Sequence, residues 1–438
     1  MASTRATRRN PLLAVFLTVF IDLLGFGILI PVFPLLISPG SRFRVTPESW
    51  TPGQGLIMLG WLQAIYPLCI FLAAPVLGQL SDRLGRRPVL AMSIGGTAVG
   101  YVLFSIGILT KNLPLMFAAR ALDGITGGNL AVAQAAIGDI SDDGNRAKNF
   151  GVLGAAFGFG FVIGPYLGGR LSDPNVSFYG LFHTPSWFGA TTPFWFAAGL
   201  AALNCLLVLR LLPETLKTRV SGRRLRLTQS ASNLINGFSS ARLRVPLATA
   251  FLFSSGFTFF TTFFAVYLRN KFHFSQGRTG DFFAIVGVCI ALTQGVVVGL
   301  VAKKLVDFKV LRFSLFGQAF ALAIYFVATS SAPLYWTIPL FTLFNGLTQA
   351  NLTSLVSRSA EPGKQGEAMG IYSSVTSIAQ VPAAVLVGYI ADGISSNIPL
   401  IVACTTVAAG GLLFLTTFRP RFVSSGTERE RSEIATSH

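Results

Sequence analysis

The chain has 438 residues, of which 52% are hydrophobic and only 12% are charged, whereas ordinary soluble domains carry roughly 25% charged residues. Charges clustered between long apolar runs exclude a soluble multidomain protein and predict a chain that crosses a membrane many times. The net charge of +17 lies mostly in alternate loops, so we assign it to membrane topology and not to nucleic-acid binding.

Twelve apolar segments, each long enough to span a bilayer, follow one another along the chain. The first is too long for a cleaved signal peptide and is expected to be a retained span. The sequence therefore predicts an all-α membrane protein with about 12 transmembrane helices. The predicted spans are 11–38, 54–80, 88–109, 113–139, 147–169, 191–211, 245–268, 280–302, 312–331, 334–356, 367–391 and 397–418.

The loops between these spans differ strongly in charge. Of the 34 Lys and Arg residues, 26 fall in the termini and loops of one side and seven in the loops of the other. Because basic residues concentrate in cytoplasmic loops, both termini are predicted to be cytoplasmic. One long basic loop divides the spans into six and six. The predicted units are an N-terminal six-helix bundle (1–212), a cytoplasmic linker (213–244), a C-terminal six-helix bundle (245–419) and a cytoplasmic tail (420–438).

The two groups of spans share residues at an offset of 219 positions. The shared residues fall at equivalent places in spans four to five and ten to eleven, as parallel halves of a transporter would require. The offset therefore favours two pseudo-symmetric bundles. The aligned pairs are Gly127 with Gly346, Gly144 with Gly363, Gly151 with Gly370, Gly169 with Gly388, and Asp173 with Asp392.

The loop after the second span holds a motif of glycines and charges, which reads GQLSDRLGRRP from Gly78 onward. Glycines permit close backbone approach and a tight turn, and the aspartate can accept hydrogen bonds from arginines or from a helix N-terminus. The motif resembles the signature of the major facilitator superfamily, a family of secondary transporters. The resemblance implies two six-helix bundles, linked on the cytoplasmic side through the charges of the motif. It assigns conformational switching to Gly78, Asp82, Arg83, Gly85 and Arg86.

The fifth span ends in a glycine–proline pattern formed by Gly164, Pro165, Gly168 and Gly169. Proline removes a helical hydrogen bond, and small residues permit close contact between helices. The pattern resembles a motif of the antiporters in the same superfamily. Generic helix packing is the alternative explanation.

Three ionisable side chains lie deep within the predicted spans: Asp22, Arg120 and Asp123. A charge there costs about 2.5–3.5 kcal/mol on insertion scales, so each residue is a functional candidate. Arg120 and Asp123 are three residues apart on one helix and can neutralise each other, which leaves a purely structural ion pair as the alternative. Asp22 then has no charged partner, and a lone carboxyl in apolar surroundings is a group that can load and release a proton.

The segments around these residues resemble the drug:proton antiporters of the superfamily, particularly the tetracycline exporters. The similar runs are Phe20 to Gly27 in span one and Arg120 to Gly127 in span four, and the resemblance extends over roughly residues 12–215. It implies that the arginine of span four takes part in proton coupling.

Two features depart from the tetracycline exporters. Asp123 stands where that family usually has an uncharged polar residue, which puts the role of the neighbouring Arg120 in question. The family's further membrane acids, in spans three and nine, are absent here, and Gly100 stands at the span-three position. The metal–tetracycline chelate is therefore not the expected substrate.

A substrate cavity between the halves is expected to be lined by amide and aromatic groups, because amides facing lipid would lack hydrogen-bond partners. The cavity candidates are Phe26, Asn345, Gln349, Tyr372 and Gln380. Four phenylalanines on one face of span seven are expected instead to face lipid. These are Phe253, Phe257, Phe260 and Phe264.

No motif for an enzyme, a metal site or a phosphate loop is present in the sequence, so no catalytic residue, metal or cofactor is expected. The leading function is a proton-driven exporter of small lipophilic compounds that works by alternating access. Its expected partners are a small-molecule substrate, protons and the bilayer, without nucleic acid, and a monomer in the bacterial cytoplasmic membrane is expected. The alternatives are a carrier of a lipid, sugar or other metabolite, and a non-transporting membrane sensor or partner protein.

Overall fold

Apolar segments in a bilayer form helices because each segment must satisfy its own backbone hydrogen bonds. The structure, a computed structural model, follows this rule. It describes residues 11–141, 146–174, 177–178, 182–216, 228–302, 307–360, 365–393 and 398–419. The predicted cytoplasmic tail, 420–438, lies outside the described residues.

Fifteen helices and two very short strands make up the described chain. A π-helical turn, Thr293–Val297, connects α10 to α11. The helices are α1 (Pro11–Ile37), α2 (Pro52–Leu84), α3 (Arg86–Leu109), α4 (Leu113–Gly127), α5 (Leu130–Asp139), α6 (Arg146–Ser172), α7 (Thr192–Leu211), α8 (Gln229–Ser239), α9 (Arg244–Phe272), α10 (Gln276–Leu292), α11 (Val298–Ala302), α12 (Asp307–Val327), α13 (Ala332–Ser359), α14 (Gln365–Gly393) and α15 (Ile398–Thr417). The antiparallel strands are β1 (Ser177–Phe178) and β2 (Phe182–His183).

The helices confirm the predicted all-α membrane architecture. Nine helical stretches within the described ranges are long and apolar enough to cross a membrane, and one of them consists of α10, the π-helical turn and α11 together. The other three predicted spans coincide with α4 plus α5, with α6, and with α13. The span predicted over 113–139 is broken at Gly128 and Asn129, which lie between α4 and α5. The two strands lie in the loop between α6 and α7, outside the spans.

Two helix pairs form the main contacts between the halves: α6 packs on α10, and α2 packs on α14. Gly169 in α6 lies so close to α10 that a Cβ on it would be 2.9 Å from the Cα of Gly280. Gly388 in α14 is equally close to α2, since its Cβ would be 2.7 Å from the Cα of Ile57. Gly169 and Gly388 are one of the offset pairs found in the sequence, so the two interfaces are related by the pseudo-symmetry of the halves.

The bundle has two distinct ends. We call the end with the α2–α3 turn, α8 and the start of α9 the basic end, because most Lys and Arg residues lie in its loops. The other end, which we call the opposite end, carries the α1–α2 loop and the start of α10. The close contacts of Gly60 with Ala384, and of Gly169 with Gly280, lie in the helix halves nearer to the opposite end. The two halves are therefore packed against each other at the opposite end.

The expectation that the phenylalanines of span seven face lipid is wrong. Phe260 and Phe264 are each 1% exposed, Phe253 is also buried, and Phe257 is partly buried. The ring of Phe260 lies 4.5 Å from that of Phe264 and 4.6 Å from that of Phe341, between centroids. An apolar face suits lipid and protein interior alike, so the sequence pattern did not distinguish the two.

Candidate functional site

Asp22 lies near the middle of α1, where α6 packs against that helix. A Cβ on Gly160 would be 2.6 Å from the Cβ of Leu23, and one on Gly164 would be 2.7 Å from the carbonyl oxygen of Leu24. Such close packing fixes the segment of α1 that carries the carboxyl. In the described part of the chain, Asp22 forms no ion pair.

Arg120 and Asp123 form the ion pair that their spacing on α4 predicts. The Nη1 atom of Arg120 lies 2.7 Å from Oδ2 of Asp123, and the two residues are 2% and 6% exposed. The guanidinium also stacks on Tyr66 of α2, with 4.3 Å between Cζ and the ring centroid. Its Nε and Nη2 atoms have no hydrogen-bond partner among the described residues. The buried guanidinium therefore has two donor nitrogens available to bind an acceptor.

Gly100 on α3 has no side chain, which leaves room for the side chain of Asp123. A Cβ on Gly100 would be 3.4 Å from both the Cβ of Asp123 and the carbonyl oxygen of Ala119. The next residue, Tyr101, is buried, and its hydroxyl packs directly on Gly25 of α1. Helices α1, α3 and α4 thus meet around the ion pair.

Asn129, in the break between α4 and α5, lies close to Asp22. It is fully buried in the turn between α4 and α5, and its carboxamide interacts with the Asp22 carboxyl. Neither polar side-chain atom of Asn129 forms a hydrogen bond of normal geometry in the described structure. The Asp22 carboxyl also interacts electrostatically with the Asp123 carboxyl. We call these residues the polar cluster: Asp22, Tyr66, Tyr101, Arg120, Asp123 and Asn129.

The polar cluster combines two carboxyl groups with one guanidinium. With both carboxylates ionised, its net charge is −1, and one bound proton makes it neutral. Two like charges near each other in a low-dielectric interior resist simultaneous ionisation. Arg120 neutralises Asp123 directly, whereas Asp22 forms no ion pair among the described residues.

The remaining cavity candidates lie apart from the polar cluster, except for Phe26. Phe26 contacts Tyr66, with 6.3 Å between ring centroids. Asn345 is buried and Gln349 is exposed, both on α13. On α14 the Tyr372 hydroxyl lies 3.4 Å from Oγ1 of Thr353, and Gln380 donates to a backbone carbonyl of its own helix. Within the described ranges, no hydrogen bond or ring contact joins these four residues to the cluster.

Arg86 is the centre of the charged motif at the basic end. Its Nη1 atom lies 2.7 Å from Oδ1 of Asp82, and its Nε atom lies 3.0 Å from Oδ2 of Asp139. Its backbone N–H donates to Glu214 at 2.8 Å. Gly85 has φ +110°, and the Glu214 carboxylate fills the space that a Cβ there would need. The motif therefore ties α2, α3, α5 and the segment after α7 together.

These partners all belong to the first half or to the start of the linker. Arg83 makes no hydrogen bond or ion pair in the part of the chain that is described, and Gly78 has open space beside it. A link from the motif to the second half is not among the described contacts. That role stays a prediction for a state in which the halves meet at the basic end.

The glycine–proline pattern of α6 packs in two directions. Gly164 and Gly168 lie against α1, whereas Gly169 lies against α10. Pro165 also contacts α10, since a Cβ on Gly280 would be 2.7 Å from its carbonyl oxygen.

An ion pair extends this contact toward the opposite end. Nη2 of Arg170 lies 3.0 and 2.8 Å from the two carboxylate oxygens of Asp281 on α10. One helix therefore supports the Asp22 segment and also joins the second half.

Comparison with known proteins places this fold and site in context. The family model described as Major Facilitator Superfamily matches residues 15–384. The tetracycline resistance protein, class C, of Escherichia coli is 30% identical over 384 residues, covering 86% of this chain and 89% of that protein. Major facilitator superfamily domain-containing protein 10 of Bos taurus is 26% identical and covers 84% of each chain.

A solved structure shows the same fold. The crystal structure of the human organic anion transporter MFSD10 superposes with a TM-score of 0.68 at 23% identity. The match covers 94% of this chain and 100% of that chain.

Proposed function

This chain belongs to the Major Facilitator Superfamily, and we propose that it is a proton-coupled antiporter that exports small lipophilic compounds by alternating access. Its family and fold are those of integral, multi-pass membrane transporters, which are not enzymes. What we propose beyond the family is the coupling ion, the substrate class and the direction of transport.

The observation that carries the proposal is the composition of the polar cluster. It buries two carboxyl groups with a single guanidinium, and the guanidinium is committed to Asp123. Ionisable groups inside a membrane protein are costly and mark ion pathways or proton relays. Asp22 on α1, whose carboxyl interacts with Asn129, is the proton-binding group in this proposal.

Similarity to tetracycline resistance proteins supports export of a small molecule. A second candidate, the transport of organic anions, is favoured by the two unpartnered nitrogen atoms of the buried Arg120 side chain. The MFSD10 structure, described as that of an organic anion transporter, points in the same direction.

The basic end is assigned to the cytoplasm because basic residues concentrate there. The closest helix contacts between the halves lie toward the opposite end, which supports a state of the carrier in which the cytoplasmic side is the one to close next. We place the protein as a monomer in the bacterial cytoplasmic membrane.

Proton flux in reconstituted vesicles tests the proposal. Vesicles with a pH-sensitive dye inside are exposed to tetracycline with Mg²⁺, to lipophilic cations and to organic anions. We expect one class to drive proton movement in the wild type, and Asp22→Asn to abolish it. Glu48→Gln, which removes an exposed acid from the α1–α2 loop, is the control and should leave the flux unchanged.

Two results would contradict the proposal. Undiminished proton flux in Asp22→Asn would remove the role of that carboxyl. The absence of substrate-dependent proton flux with every class would favour a facilitated carrier or a non-transporting sensor.

A further inference from the structure

The linker helix α8 is anchored to the first half at a proline in α2. Pro75 has no N–H group, so the carbonyl of Phe71, four residues earlier, lacks its helical partner. The Ser230 hydroxyl at the start of α8 donates a hydrogen bond to that carbonyl, and Ser230 is 1% exposed. An unpaired carbonyl is costly within a membrane protein, so this contact fixes the position of α8.

The same face of α8 docks on the second half. The Nδ2 atom of Asn233 lies 3.5 Å from Oγ of Ser374 on α14. Gly237 is buried, and a Cβ on it would be 2.5 Å from Cγ2 of Ile371. Helix α8 therefore bridges the two halves at the basic end, with one side turned to the protein.

The rest of the α8 surface is divided into an apolar and a polar strip. Ile235 and Phe238 are 67% and 41% exposed, and they are neighbours at a spacing of three residues. Ala231, exposed on the same side, completes the strip. The adjoining strip holds Ser232, Asn236 and Ser239. An apolar strip beside a polar one is the pattern of a helix that lies in the headgroup region of a bilayer.

Basic residues flank this helix in the sequence. Arg242 and Arg244, directly after α8, are exposed and form no ion pair in the described structure. The linker 213–244 contains a single acid, Glu214, which is occupied by Gly85 and Arg86. Five further basic residues precede the helix in the sequence: Lys217, Arg219, Arg223, Arg224 and Arg226. Clusters of this size beside an amphipathic helix recognise anionic lipid headgroups.

We propose that α8 is a binding site for anionic phospholipid, with the Ile235 and Phe238 strip between acyl chains and with Arg242 and Arg244 on the phosphates. The inference is independent of the proposed transport function, because it concerns only the linker helix and its surface. Since α8 touches both halves, the site also places the lipid charge at the junction between them.

Native mass spectrometry of the solubilised full-length protein tests this site. Binding of phosphatidylglycerol is compared with that of phosphatidylcholine, and a parallel binding titration is run at low and at high salt. We expect the wild type to bind phosphatidylglycerol more tightly, with affinity falling as salt rises. Arg242→Gln with Arg244→Gln should weaken that binding about thirtyfold at low salt, whereas lysine at both positions should retain most of it.

Matched controls separate a site from a general charge effect. Lys111→Gln with Arg278→Gln removes two exposed charges at the opposite end and should leave phosphatidylglycerol binding unchanged. Ile235→Ser with Phe238→Ser should weaken lipid binding, whereas Leu203→Ser with Leu206→Ser, an exposed pair of equal spacing on α7, should not.

Three outcomes would overturn the proposal. Equal binding of the two lipids by the wild type would remove the charge preference. Equal losses in the α8 variants and their controls would remove the site. A dimer mass that is lost only in the Ile235 and Phe238 variant would show that a second copy of the chain covers the strip.

Discussion

Around Arg120 the first half gathers charges, amides and tyrosine hydroxyls, whereas around Phe260 the second half gathers rings. Phe264, Tyr325 and Phe341 all lie within 6 Å of the Phe260 ring, between centroids. The halves are related by pseudo-symmetry, so the same helix arrangement accepts either filling. Aromatic packing stabilises a core, whereas a buried ion pair seldom does. Under the proposed function, we therefore expect the first half to carry the proton-coupling groups and the second half to contribute mainly to stability.

Breaking the ion pair should have the largest effect. Arg120→Gln or Asp123→Asn leaves one buried charge without its partner, and we expect a loss of about 3–5 kcal/mol of stability. The double variant should recover most of that stability, because no lone charge remains. If Arg120 serves coupling, the double variant folds but does not move substrate against its gradient. The measurements are thermal stability and uphill transport, and full uphill transport by the double variant would leave a purely structural pair.

Truncating the aromatic region should affect stability instead of coupling. Phe260→Ala removes a side chain that is 1% exposed, and we expect a loss of about 3–5 kcal/mol. The proton dependence of transport, per folded molecule, should not change. Phe320→Ala, at a position on α12 that is 62% exposed, should change stability by less than about 0.5 kcal/mol. A loss of proton dependence in Phe260→Ala would contradict the division between the halves.

Moving the acid from α4 to α3 should preserve part of its function. Gly100 has room for a Cβ beside Asp123, so Gly100→Asp should return a carboxyl to the neighbourhood of Arg120. We expect Gly100→Asp with Asp123→Asn to transport better than Asp123→Asn alone. Gly95→Asp with Asp123→Asn is the control, because Gly95 faces Cys205 instead of Asp123. Equal transport by the two double variants would show that the position of the acid does not matter.

The smallest effect is expected at the basic end. Asp82→Asn removes one partner of Arg86, but Asp139 remains and the Asp82 side chain is 45% exposed. Exposed ion pairs contribute little to stability. We expect slower turnover with unchanged equilibrium binding of substrate, measured separately on the same preparation. A large loss of binding with normal turnover would contradict a role in switching.

The sequence predicted those features that depend on local spacing. The Arg120–Asp123 pair follows from two residues on one helical face, and the helical layout follows from apolar segments of span length. Asn129 was missed because its role depends on the break between α4 and α5, although a polar residue after Gly127 and Gly128 was the available signal. Tyr66 and Tyr101 reach the cluster from other helices, and the sequence held no pattern that would single them out.

Long-range polar contacts were equally hidden. Glu214, placed in the linker, closes the turn at Gly85 through a contact with a residue more than a hundred positions away. The wrong assignment of the Phe260 face has a different cause, since lipid and protein interior favour the same side chains.

The hydrogen bond between Ser230 and the Phe71 carbonyl holds the linker helix to the first half independently of the chain that connects them. If the chain were cut anywhere in 217–227, the Phe71 carbonyl would lie on one fragment. Ser230, its only side-chain donor among the described residues, would lie on the other. This hydrogen bond would then favour reassociation of the two fragments without a covalent connection. A shorter linker that lost Ser230 would remain continuous and yet lose this contact. The residues of the linker are thus not interchangeable with a flexible tether of the same length.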